Sequence, residues 1–232
     1  MKCLRLLYLL VVPVNLFSIT AIKSIKEAHK TFESADTSTL VVFDLIDTLL
    51  KSHKEDYNHK LKPNIQTREF EHYKENGFDV TLSAIMLHSK RHLVEKELKL
   101  LIELLFKKNV KVLALSHYLV GAWGLIKSIQ EWRYLQLKHA GLDLSVSFGD
   151  KAISLQKLAP YRKAHPIYYS GILFTNGHSK GDTLEAYLSL VNYKPTKIIA
   201  VDDNLEYLKS IEQMAINSNL QFEGFHYLAA SI

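Results

Sequence analysis

Thr39 to Phe43 is apolar or β-branched at every position and runs into Asp44. This is the pattern of a strand buried on both faces that delivers an acid at its C-terminal edge. It returns twice: Val110 to Leu115 leads to Ser116, and Lys197 to Val201 leads to Asp202 and Asp203. Between these runs the period changes. Leu93, Leu98, Leu101, Ile102 and Leu105 follow helical spacing and Asn109 closes that helix, while Val120 to Ala140 predicts a second amphipathic helix stopped by Gly141. Gly177 to Asp182 is a turn opening a third helix that carries Leu184, Leu188 and Val191 on one face, with Pro195 separating it from the last strand. Leu144 to Phe148 predicts a short strand, and Ile167 to Thr175 one or two strands bent at Ser170-Gly171. Strands alternating with helices imply a three-layer α/β/α, Rossmann-like parallel sheet. Lys51 to Phe78 is polar, rich in histidine and without apolar period, so residues 51–91 are expected to form a small helical cap inserted above the strand ends.

The first residues follow another pattern. Lys2 and Arg5 precede an almost purely apolar run from Leu6 to Phe17, and Ser18 to Ala21 is small and weakly polar. That is the layout of a secretory signal peptide over residues 1–21, with the domain proper at 22–232 and cleavage expected after Ala21. The run is short for a bilayer and Pro13 interrupts it, so no stable membrane span is expected once the leader is gone. The implied location is periplasmic or extracellular. Cys3 is the one cysteine and lies ahead of the apolar run, leaving a mature chain free of disulfide errors in an oxidising compartment.

Composition narrows the class. With 47% hydrophobic and 23% charged residues the chain is neither disordered nor a multispan membrane protein. Loss of Lys2 and Arg5 lowers the formal charge from +5 to +3, leaving 27 basic against 24 acidic residues. With no basic run interleaved with aromatics, nucleic acid is not an expected partner.

Open parallel sheets bind ligands beyond the carboxyl ends of their strands, so Asp44, Ser116 and Asp202 should meet in space. Taken singly, each is more often a cap or turn residue. As an ordered set, Val41 to Leu50 with Asp44 and Thr48, Ser116 after Val112 to Leu115, Lys180 at a helix start, and Asp202-Asp203 after Ile198 to Val201 resemble the four motifs of the haloacid dehalogenase superfamily. Gly171 to Thr175, Lys180-Gly181 and Gly224 to Tyr227 are similar to an exported bacterial branch of it whose function is unknown. The resemblance implies a hydrolase of small phosphorylated molecules using Mg²⁺ held by Asp44, Asp202 and the backbone carbonyl of Ile46, with Thr48 and Asp203 in support.

The residue types also suit that chemistry on their own. A carboxylate such as Asp44 can attack phosphorus and form an aspartyl phosphate. A divalent cation offsets the repulsion between two anions. Lys180 and the Ser116 hydroxyl would hold phosphoryl oxygens as charge builds. One departure stands out: the residue two after the nucleophile, an Asp in the phosphatases of that superfamily, is Ile46. It cannot transfer a proton, and acid-base help is worth roughly 10²- to 10⁴-fold. A noncatalytic reading therefore stays open, in which the site binds a phosphate-bearing ligand or the fold serves a protein partner.

Other features get plainer readings. Among the eleven histidines, His53, His59, His72, His88 and His92 are expected to be solvated, since His88 and His92 lack the intervening Glu of a metalloprotease helix. Trp123 and Trp132 are expected to pack on core and cap, and Arg133 and Asp143 to pair at the surface.

Overall fold

In a computed structural model, residues 17–52 and 77–231 are described. Three strands carry the frame: β2 (Thr39–Phe43), β5 (Lys111–Ser116) and β9 (Lys197–Asp202). Their side chains alternate between two separate apolar clusters. Val41, Phe43, Val112, Ala114, Ile199 and Val201 belong to one, and Leu40, Val42, Leu113, Leu115, Ile198 and Ala200 to the other. A strand apolar at every position is thus explained by a sheet covered on both faces.

Helices supply the cover. Phe32 of α1 (His29–Ser34), Leu98, Ile102 and Leu105 of α3 (Glu97–Lys107), and Ile129 and Leu137 of α4 (Ile129–His139) close the first cluster. On the opposite face lie Leu184, Tyr187 and Leu188 of α6 (Lys180–Leu190), with Leu208, Ile211 and Met214 of α7 (Leu205–Asn217). The architecture is the expected three-layer α/β/α.

With β1 (Phe17–Ile22), β6 (Ala152–Ser154), β7 (Ile167–Tyr169), β8 (Ile172–Phe174) and β10 (Gln221–Tyr227), the sheet has eight strands in the order β1-β10-β9-β2-β5-β8-β7-β6. Pairing is parallel from β1 to β8 and antiparallel through β7 and β6. The bend expected at Ser170-Gly171 is the hairpin turn between β7 and β8, with both residues at positive φ.

Three local expectations change. The helix foreseen over Val120 to Ala140 covers only Ile129–His139, capped by the Ser128 side chain. Ahead of it Gly121 and Gly124 hold positive φ, and a Cβ on Gly124 would lie 2.2 Å from the Asp79 carbonyl oxygen. Apolar spacing there reflects a loop pressed against α2 (Phe78–His88). Leu144 to Phe148 contains a one-turn helix, α5 (Ser145–Phe148), in place of a strand, because the Asp143 carboxylate accepts from the Ser145 N–H at 3.1 Å and turns the chain. Arg133 is buried, 1% exposed, and not a surface residue; Asp143 pairs instead with Lys138 at 2.9 Å. Ser18 to Ala21, expected at the end of the leader, lie in β1, which pairs along its length with β10. The rest of the leader, residues 1–16, lies outside the described residues.

The insertion leaves the main sheet. Leu50–Ser52 (β3) and Arg91–Leu93 (β4) pair as an antiparallel stem, with α2 before β4. Residues 53–76, with His53, His59 and His72, lie outside the described residues.

Candidate functional site

Adjacent parallel strands β9, β2 and β5 end at the same edge of the sheet, and register brings their last residues together. Phe43 pairs with Val201 on one side and Ala114 on the other, so Asp44 follows directly beside Asp202, its N–H donating to the Val201 carbonyl at 2.8 Å. Ser116 closes β5 and is buried.

Lys180 reaches this edge from the first turn of α6. Its helix is started by the Ser179 side chain, which accepts from the Asp182 N–H. Gly181 lets α6 approach α7 closely, since a Cβ there would lie 2.2 Å from the Ser210 carbonyl oxygen. That approach aims the fully buried lysine inward. Its Nζ donates to Asp44 Oδ1 at 2.5 Å and to Asp202 Oδ2 at 2.6 Å, and lies 4.7 Å from the ring centre of Tyr207.

Asp203 completes the cluster. Carboxylate oxygens of Asp44, Asp202 and Asp203 lie within 4.8 Å of one another. Thr48 Oγ1 accepts from the Asp203 N–H at 3.2 Å, and Asp202 Oδ1 accepts from Asn204 N–H at 2.9 Å. Three carboxyl groups gather around one ammonium, so negative charge is in excess once all three are ionised. Burial, reinforced by Asp44, pushes the Asp202 carboxyl up to about 7 despite Lys180, and Asp203 up to about 6. Burial opposes the charge on Lys180, but the two carboxylates outweigh it and hold the ammonium above its usual range. The donor set, all carboxylate and compact, suits a hard divalent cation such as Mg²⁺.

Ile46 is part-buried and packs against the core, its backbone bridged to Leu50. Asp47 takes the left-handed turn that leaves the strand, with φ 62°, as a turn residue should. Burial raises its carboxyl, with Arg91 opposing. His88 and His92 join no metal-binding group among the described residues. Trp132 lies 4.3 Å from the buried Arg133 guanidinium, which stacks on Tyr118 from its other contact at 4.6 Å.

Sequence reasoning missed three residues here: His117, Thr175 and Tyr207. His117 follows Ser116, and its Nδ1 lies 2.9 Å from Oγ1 of the buried Thr175. Its ring packs on Tyr207 at 4.9 Å between centres. Partial desolvation and then the Lys180 charge lower its pKa from the ordinary value. The available signal is the Ser-His pair at a strand end, while the partners that orient the ring, Thr175 and Tyr207, come from distant elements.

Comparison with known proteins decides the family. Residues 21–231 match the model of a family described as Protein of unknown function (DUF2608). The chain belongs to that family. This corrects the haloacid dehalogenase assignment: the matching model is that of a family without known function, and it is not a haloacid dehalogenase model. Strand-end acids and a helix-start lysine follow from parallel-sheet geometry and do not by themselves fix ancestry. Relatives include uncharacterized proteins of Rickettsia. One from Rickettsia felis is 28% identical over 143 residues, 60% of this chain and 48% of its own length. Another from Rickettsia bellii is 26% identical over 203 residues, 81% of this chain and 68% of its own. The chain spans about half the length of the first of these relatives.

Proposed function

We propose that this DUF2608 chain is a Mg²⁺-dependent phosphomonoesterase acting outside the cytoplasm on a small phosphorylated molecule. The observation that carries the proposal is the buried Lys180 bridging Asp44 and Asp202 beside Asp203. An all-carboxylate cluster with excess negative charge attracts a divalent cation, and the cation with Lys180 attracts a phosphoryl group.

Asp44, Asp202 and Asp203 would hold Mg²⁺, with the Ile46 carbonyl as a further oxygen donor. When bound, the cation screens phosphate charge and polarises a phosphoryl oxygen. Asp44 is the nucleophile: one carboxylate oxygen bonds phosphorus as the ester P–O bond breaks. Lys180, now shared between two carboxylates, offers its ammonium to the transferring group, and the Ser116 hydroxyl donates to another phosphoryl oxygen. Thr48 fixes the backbone at Asp203 and so the approach of its carboxylate. Export rests on the basic start and apolar run of the first seventeen residues.

A second reading has one observation in its favour. Ile46 packs against the core and carries no proton, which suits a domain that binds phosphate without turnover. A phosphatase screen separates the two: steady release from aryl phosphates, dependent on Mg²⁺ and lost in Asp44→Asn, supports the enzyme. Mg²⁺-dependent binding of inorganic phosphate with no release from any ester supports the binding domain.

A further inference from the structure

Ile46 leaves the proposed reaction without a group at its own position to activate water, and a substitute must be both accessible and oriented. His117 meets both conditions. It is solvent-exposed and lines a cleft of about 340 Å³ with Asp79, Tyr118, Leu119, Trp123 and Arg162. Its orientation is fixed from beneath. Thr175, whose N–H donates to the Ser116 carbonyl at 3.0 Å, holds Nδ1 through Oγ1, and Tyr207 supports the ring face. Tyr207 also faces Lys180 Nζ, so imidazole, phenol ring and ammonium form a continuous wall ending at Asp44.

We propose that His117 is the catalytic base that hydrolyses the aspartyl phosphate on Asp44, with the adjoining cleft receiving the alcohol or phenol portion of the ester. This rests on the phosphomonoesterase reading. With Nδ1–H donated to Thr175 Oγ1, Nε2 keeps its lone pair toward the open side. In the first step an Asp44 oxygen bonds phosphorus and the ester oxygen leaves; an aryl oxide needs no proton, and an alkoxide takes one from the His117 imidazolium. In the second, Nε2 of neutral His117 takes a proton from water as that oxygen bonds phosphorus and the P–O bond to Asp44 breaks. Inorganic phosphate departs, Asp44 is a carboxylate again, and the imidazolium returns its proton to solvent. The charged and titratable groups facing His117 are Lys180, Asp44, Tyr207 and His178, with Asp79 and Arg162 across the cleft. Lys180 and desolvation favour the neutral ring that a base requires.

The test uses His117→Asn, whose amide can keep the bond to Thr175 but has no counterpart of Nε2. With 4-nitrophenyl phosphate and Mg²⁺, the variant should keep a stoichiometric burst while its steady rate falls about 10²-fold or more. At saturating Mg²⁺, unmodified protein should lose steady rate as pH falls below the ordinary histidine range, because desolvation and Lys180 lower the His117 pKa; the variant should lack that limb, and added imidazole should restore part of its rate. A variant that keeps the steady rate and the acid limb overturns the role of His117 and leaves the phosphatase reading standing. Absence of burst and turnover in unmodified protein, or a burst that survives Asp44→Asn, overturns the phosphatase reading and this proposal with it. Should His117→Asn not fold, the acid limb of unmodified protein at saturating Mg²⁺ decides: a profile flat from pH 4 to 7 overturns the proposal.

Discussion

At the residue scale, the protein carries two kinds of buried charge with opposite consequences. Lys180 is matched by carboxylates, whereas Arg133, held at 1% exposure, bonds the neutral side chains of Gln136, at 2.8 Å, and Tyr118, and among the described residues its Nε has no hydrogen-bond partner. Burial lowers its pKa to about 10. A buried cation without a carboxylate partner is costly, and replacing it with an apolar side chain of similar length removes that cost. Arg133→Met should therefore melt no lower than the unmodified protein, as read by calorimetry, while Lys180→Met should melt lower because it strands two carboxylates. The same contrast shows what sequence could and could not yield. Asp44, Ser116, Lys180 and Asp202 were legible because each sits where an apolar run or a helix begins or ends. Arg133 and His117 were not, because their burial and partners arise from Tyr118, Trp132, Thr175 and Tyr207, which no local period connects to them.

The acidic cluster has a pH signature of its own. The folded carboxyls of Asp202, raised to about 7, and Asp203, raised to about 6, bind protons more tightly than the ordinary value of 3.8 in an unfolded chain. Stability from that protonation is complete below about pH 4 and is lost as pH rises through the folded values. Chelator-treated protein should accordingly lose melting temperature between pH 5 and pH 8. Because cation and proton compete for the same oxygens, Mg²⁺ should raise the melting temperature more at pH 8 than at pH 5. An increment independent of pH, or one unchanged in Asp202→Asn, would remove Asp202 from the metal set.

At the element scale, the strands flanking the site lie within one residue of their foreseen limits because continuous apolar runs bounded by polar residues have one solution in a sheet covered on both faces. Elements failed where tertiary context outweighed local pattern. Gly121 and Gly124 break a helical spacing that looked continuous to Ala140, and Asp143 converts an apolar segment into a helical turn. A consequence for the expected leader follows from β1. The small, weakly polar residues read as a cleavage region alternate as Ser18, Ile19, Thr20, Ala21 and Ile22, and all pair with β10. A leader cut after Ala21 would strip the edge strand from the sheet and expose the backbone of β10. Protein starting at Phe17 should thus melt higher than protein starting at Ile22, and under the proposed export the native N-terminus should precede Phe17. Equal melting temperatures for the two would show that β1 contributes nothing to the fold.

At the scale of the whole molecule, layer order and site location follow from one another. Putting β2 between β9 and β5 brings three strand ends to one point, and packing α6 on α7 through Gly181 brings Lys180 to the same point. That much was readable from strand and helix alternation, while the family was not: a strand-end acid set marks a kind of sheet edge, and the match over residues 21–231 names a family without known function. What the edge does is open to a direct reading on Asp44 itself. The protein is mixed with 4-nitrophenyl phosphate and Mg²⁺, quenched in acid within the burst, digested, and the peptide carrying Asp44 is sequenced by mass spectrometry. A phosphoryl group on Asp44, absent without Mg²⁺ and accumulating further in His117→Asn, is the expected result; an unmodified Asp44 under conditions where the ester is being cleaved would contradict it.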